Sequence, residues 1–151
     1  MNTELSDRVT PYADIIDSRD VIKLIEELEG EIKALNEERS ELTFNEDEMS
    51  GYDNDRVAEI DDELKELQGQ LEPLFSLAEE GRGSSDWSYG ETLIADSYFK
   101  EYAEQLAEDL GYTNKDVQWP YTCIDWDRAA DDLKMDYFSV NFGDETFWIR
   151  S

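Results

Sequence analysis

Between Val21 and Ala78 the apolar residues recur at alternating steps of three and four, a period that commits this stretch to paired helices. The first run is Val21, Ile25, Leu28, Ile32, Leu35 and Leu42, with Arg39 in the one slot that lacks an apolar side chain. The second is Val57, Ile60, Leu64, Leu67, Leu71, Leu74 and Ala78. Such steps make the a/d seam of a coiled coil. Matched across a turn near Met49 and Ser50, the facing layers are 42/57, 39/60, 35/64, 32/67, 28/71, 25/74 and 21/78, and every pair sums to 99. Two helices folded back on each other would therefore meet layer for layer. The expectation is an N-terminal antiparallel coiled-coil helical hairpin, with helices of about 18–42 and 55–79. The same seam would also serve parallel helices in a dimer.

The flanking residues set the expected ends. Ser18 is placed to cap the first helix, with Asp20 in its first turn, and Ile15 and Ile16 would staple its entry. Thr43 to Asn54 has the composition of a solvated loop, and Asn54 or Asp55 would cap the second helix. Pro73 should kink that helix on the face away from the seam. The loop acids do not follow the order of a calcium-binding loop, because Asp53-Asn54-Asp55-Arg56-Val57 breaks the required alternation. Gly81-Arg82-Gly83-Ser84-Ser85 reads as a flexible break, dividing residues 1–80 from a small domain at 86–151.

That second stretch is aromatic: 14 of the 18 Phe, Trp and Tyr lie after residue 86, enough for a small core. A helix from about Ser97 to Leu110 would turn Phe99, Tyr102, Ala103, Leu106 and Leu110 inward and stop at Gly111. Asp125 would cap a short helix through Ala129, Ala130 and Leu133. Phe138, Val140 and Phe142 alternate before Gly143-Asp144, and Phe147 and Ile149 alternate after it, the pattern of a β-hairpin. Trp119, Trp126 and Trp148 are expected in the core, and Trp87 is the expected exposed anchor. The fold class is thus α+β, a helical hairpin followed by a domain of two helices and a β-hairpin.

Charge restricts function. The 151 residues carry a formal net charge of -27 and no histidine. Residues 1–81 hold 25 acids and 7 bases, and residues 82–151 hold 15 acids and 6 bases, so both stretches are acidic. Such a surface repels nucleic acid and anionic membrane and attracts basic proteins. No apolar run approaches the ~20 residues of a membrane span. Met1 to Thr10 lacks a basic and apolar signal region, and the lone Cys123 suits a reducing compartment, so a cytoplasmic location is expected. Catalysis is not expected. The commonest general base is missing, Cys123 reads as a buried apolar filler, and Gly81-Arg82-Gly83 lacks the Lys of a phosphate loop. No catalytic, cofactor or metal residue is nominated.

From Tyr89 onward the text resembles a known family. Tyr89-Gly90-Glu91-Thr92-Leu93-Ile94, Trp119-Pro120-Tyr121-Thr122-Cys123-Ile124-Asp125-Trp126, Ala129-Ala130 with Leu133, Asp136-Tyr137 and Phe147-Trp148-Ile149-Arg150 are similar to the C-terminal part of phage and plasmid antirestriction proteins of the ArdA type. The resemblance covers roughly the last 60 residues. It implies an acidic DNA mimic that occupies the DNA-binding groove of type I restriction and modification enzymes and acts as an elongated dimer. The first 80 residues depart from that family, with a helical hairpin in place of its N-terminal domains.

The hairpin itself fits the same role. Residues 18–80 hold 21 acids and 6 bases. A helix of about 24 residues spans roughly 36 Å, giving one net charge per ~2.4 Å against one per ~1.7 Å for duplex DNA. An ordinary coiled-coil surface is mixed in sign, but here Glu26, Glu27, Glu29, Glu31, Glu37, Glu38 and Glu41 face only Lys23, Lys33 and Arg39. The candidate phosphate mimics are Glu26, Glu27, Glu31, Glu37, Glu38, Glu41, Glu46, Asp47, Glu48, Asp53, Asp55, Asp61, Asp62, Glu63 and Glu66. Arg39 is expected to act as a register device or a snorkelling stem, with Glu side chains of the facing helix as its partners. The expected partner is a host DNA-binding protein or defence complex with a basic surface, with no direct contact to nucleic acid or membrane, and with self-association as a possible homodimer. The alternative is a non-catalytic structural or adaptor protein that assembles through the hairpin.

Overall fold

Both faces of the sheet are apolar, and that fixes the layering. In the C-terminal strands Val140, Phe142, Phe147 and Ile149 point to one side, whereas Tyr137 and Trp148 point to the other. Alternation of this kind places successive side chains on opposite faces. A strand pair with two apolar faces must be covered twice.

The computed structural model describes residues 3–44, 47, 50–113 and 119–150. Its elements are α1 (Thr3–Arg8), β1 (Ile15–Asp17), α2 (Ser18–Thr43), α3 (Gly51–Gly81), α4 (Trp87–Gly90), β2 (Thr92–Ala95), α5 (Phe99–Asp109), α6 (Trp126–Leu133), β3 (Tyr137–Phe142) and β4 (Glu145–Arg150). The four strands form one antiparallel sheet in the order β1-β2-β4-β3. The architecture is a mixed α+β fold. Gly143, at φ 61°, and Asp144 turn the β3–β4 hairpin, with Phe142 opposite Glu145.

On one face of the sheet, Ile16, Leu93, Val140, Phe147 and Ile149 pack with Val21, Leu24, Ile25, Leu28, Leu71, Leu74 and Leu77, with Leu5 and Val9 closing the edge. On the other, Ile94 joins Phe99, Ala103 and Ala130, with Tyr102, Leu133, Tyr137 and Trp148 around them. Residues from both sides of the Gly81–Ser85 stretch therefore share one apolar cluster. Ser84 within that stretch is buried, and its Oγ donates to a Glu91 carboxylate oxygen at 2.9 Å.

Several expectations are corrected. Ser18 does not cap α2. Asp17 does, accepting from the Arg19 N–H, while Ser18 is the first helical residue. Ile15 and Ile16 form β1, pairing with Ile94 and Leu93 of β2; Ile16, just before the Asp17 cap, is also buried in one cluster with Val21, whereas Ile15 is exposed. The second helix begins at Gly51, four residues ahead of Asp55. Ser50 accepts from the Asp53 N–H and Asp53 accepts from the Ser50 N–H, a reciprocal capping box. Trp87 is not an exposed anchor: it is buried against Gly81, where a Cβ would overlap its ring. Leu110 is exposed because Gly111, at φ 81°, ends the helix at that turn. Trp119 is 80% exposed and Cys123 is exposed, so neither belongs to the core. Asp125 does cap α6, accepting from the Arg128 N–H at 3.2 Å. Among the described residues no helix is long and apolar enough to cross a membrane.

Candidate acidic interaction surface

The long helices α2 and α3 are amphipathic, and their burial shows where each helix meets a neighbour. Val21, Ile25 and Leu28 are buried on α2, and Ile60, Leu64, Leu67, Leu71, Leu74 and Ala78 on α3. Leu24 and Leu77, outside the expected seam, are buried as well because the sheet covers the helix pair at that end. Away from the sheet, Ile32, Leu35, Leu42 and Val57 are only half-buried. The outer part of the pair is a two-helix structure with water on both flanks.

Charge ties that outer part together. Arg56 of α3 reaches across to Glu38 of α2 with two parallel bonds, Nε to Oε2 at 2.6 Å and Nη2 to Oε1 at 3.1 Å. Its Nη1 also bonds Glu59 at 3.3 Å and Glu63 at 3.5 Å. The Arg56 hydrogen bonds hold the Glu38 carboxyl below its ordinary range, and Glu38 in turn raises Arg56. Arg39 donates to Asp61 at 2.7 Å, so its partner on the facing helix is an Asp rather than the expected Glu. A forked guanidinium on a carboxylate is the strongest of surface ion pairs, and here one cation serves three acids.

These pairs sort the nominated acids. Glu38 and Glu63 are held by Arg56 and Asp61 by Arg39, each in an ion pair. Asp53 is half-buried in the capping box, and one carboxylate oxygen of Glu27 is buried without a hydrogen-bond partner. Glu46 and Glu48 lie outside the described residues. Among the described residues no ion pair or side-chain hydrogen bond holds Glu26, Glu31, Glu37, Glu41, Asp47, Asp55, Asp62 or Glu66, and all but the half-buried Glu31 are exposed.

On α3 the acids at 55, 59, 62 and 66 fall on one helix face. Glu59 among them is held by Arg56, so the unpaired carboxylates step by about 10.5 and 6 Å at 1.5 Å per residue, roughly two to three times the ~3.4 Å rise per nucleotide of one DNA strand. On α2, Glu37 and Glu41 repeat the four-residue step. The helices are also longer than the heptads alone suggest. With 26 and 31 residues, they run about 39 and 46 Å. Spread over the longer helix, the excess of 21 acids over 6 bases gives one net charge per roughly 3 Å, a little over half the duplex density.

Reasoning from sequence missed the aromatic side chains on this surface. Phe44, at the end of α2, is 91% exposed, Tyr52 in the first turn of α3 is 78% exposed, and Phe75 is 42% exposed. Phe44, nine-tenths exposed, carries no periodic signal, since it belongs to no seam. Among the described residues no group of three or more His, Cys, Asp and Glu side chains converges to hold a metal ion. No protein-family model, curated protein or solved structure matches this chain.

Proposed function

We propose that the α2–α3 pair is an antiparallel coiled-coil hairpin whose exposed acids stand in for DNA phosphates. On this reading the chain is a non-catalytic anti-defence inhibitor of the antirestriction kind, acting in the cytoplasm of a host cell. It occupies the basic, DNA-contacting surface of a host restriction or related nucleic-acid enzyme and excludes the substrate. The observation that carries the reading is the asymmetry of pairing. Arg39 and Arg56 reach across the helix pair to Asp61 and Glu38, and Arg56 also holds Glu59 and Glu63 on its own helix, while Asp55, Asp62 and Glu66 stand exposed on α3 without an ion pair among the described residues. The cations stiffen the rod and the unpaired carboxylates present its charge. The resemblance of the last 60 residues to ArdA-type proteins supports the same class of target.

The test is charge reversal on that face. Replacing Asp55, Asp62 and Glu66 together with Lys should weaken inhibition of a type I restriction enzyme by about tenfold or more, with an unchanged circular dichroism spectrum. Reversing Glu27 or Glu38 is a poorer probe, because Glu38 bonds Arg56 across the helix pair and one carboxylate oxygen of Glu27 is buried, so either change also disturbs packing. Inhibition that survives the triple reversal would remove the proposal.

The second reading is an adaptor that assembles through the hairpin. The half-buried Ile32 and Leu35 favour it, since an open seam is a place for another helix to join. An adaptor would leave DNA bound to the target enzyme.

A further inference from the structure

Along one flank of the α2–α3 pair the open seam becomes a groove. One depression of about 660 Å³ lies over Ile32 and Leu71, and a second of about 500 Å³ continues past Phe75 to Arg82. Gln68 and Leu71 line both, so the two are continuous. The floor is apolar: Leu71 is buried, Ile32 is half-buried, and Phe75 leaves 42% of its surface in water. The rims are acidic. Glu29, Glu37 and Glu41 line it from α2, and Glu72 and Glu79 from α3, against Lys33 and Arg82.

The geometry points to this groove as the docking site for a cationic amphipathic helix carried by a partner protein. The partner's apolar stripe would lie on Ile32, Leu71 and Phe75, and its flanking Lys and Arg rows would meet the glutamates. From Glu29 to Glu41 the wall is about 18 Å long, enough for three turns of a bound helix before the groove continues along α3. Charge selects among occupants. A second copy of this chain would bring the same excess of 21 acids over 6 bases against it, and a polynucleotide would be repelled for the same reason. The inference rests on the reading that this surface meets a basic partner, and adds which element of the partner it grips.

The experiment uses the full chain and two labelled synthetic peptides of about 18 residues. Both contain the same Leu, Lys and Arg residues. One carries Leu at helical spacing and the other has that order scrambled. Anisotropy should show the ordered peptide binding about tenfold tighter or better, with a gain in helical circular dichroism. Phe75→Ser should remove that advantage and leave the scrambled peptide's affinity unchanged. Gln68→Lys, at the exposed junction of the two depressions, should weaken the ordered peptide as well. Equal affinity for the two peptides would overturn the groove while leaving the charged decoy standing, as would an advantage that survives both substitutions. Failure of both peptides to bind at low salt would overturn both readings together.

Discussion

Ser18 sits where α2, α4 and β2 meet, fully buried. Its Oγ donates to the Trp87 carbonyl at 2.7 Å and accepts from the Glu91 N–H at 2.6 Å. Ser18→Ala would orphan a backbone acceptor and a backbone donor in a dry site. It should cost about 1–3 kcal/mol, read as a lowered midpoint in denaturant. The sequence marks Ser18 as a polar residue at a helix start, but its partners lie 69 and 73 positions away, beyond any local pattern. Asp96 is a second such residue. The Trp148 indole N–H donates to its Oδ1 at 2.9 Å and Lys134 does so at 3.1 Å, and these bonds hold its carboxyl below the ordinary range. A depressed folded value stabilises above the unfolded carboxylate value of about 3.9, and that contribution is lost as pH falls from there through the folded value. Asp96→Asn should therefore be less stable than the parent at neutral pH, with the difference closing below about pH 4. A difference constant from pH 7 to below 3 would contradict that assignment. Trp87 and Trp119 show the limit of residue-level reading, since composition says that aromatics must pack but not which ones.

At the scale of elements, what repeats was legible and what is brief was not. The alternating three-and-four steps from Val21 to Ala78 identify two long helices, and the alternation about Gly143-Asp144 identifies the terminal hairpin. β1 was invisible because three residues, Ile15 to Asp17, carry no period; it is a strand only because β2 offers it an edge. The start of α3 was misplaced because Ser50 and Asp53 cap it earlier than Asn54 or Asp55. The candidate surface was legible in charge but not in pairing, for the heptads do not reveal that Arg56 gathers Glu38, Glu59 and Glu63. That network is testable. Arg56→Gln leaves three neighbouring carboxylates without their shared cation, so the melting temperature should fall at low salt and recover in part near 1 M salt, where the screening length is about 3 Å. A melting temperature that falls equally at all salt concentrations would mean that Arg56 acts through packing of its stem instead.

Across the whole molecule, one sheet is held between two helical layers, and the α2–α3 pair continues outward from the layer that includes α1. This joins the acidic rod to a packed base: Glu80 accepts the Asn141 N–H at 2.7 Å, fixing the end of α3 to β3. The shared core was hidden because the Gly81–Ser85 stretch has the composition of a linker, whereas its glycine at 81 is the bed for Trp87. A rod fixed to a base can offer its charge in one orientation, and binding through that charge should weaken by about tenfold or more between 50 and 200 mM salt. The most direct measurement is competition. A labelled DNA duplex bound to a type I restriction enzyme is titrated with this chain, while anisotropy follows the duplex and sedimentation follows the complex. The account predicts that duplex leaves as the chain binds, with no species holding both. A ternary complex of enzyme, duplex and chain would contradict it.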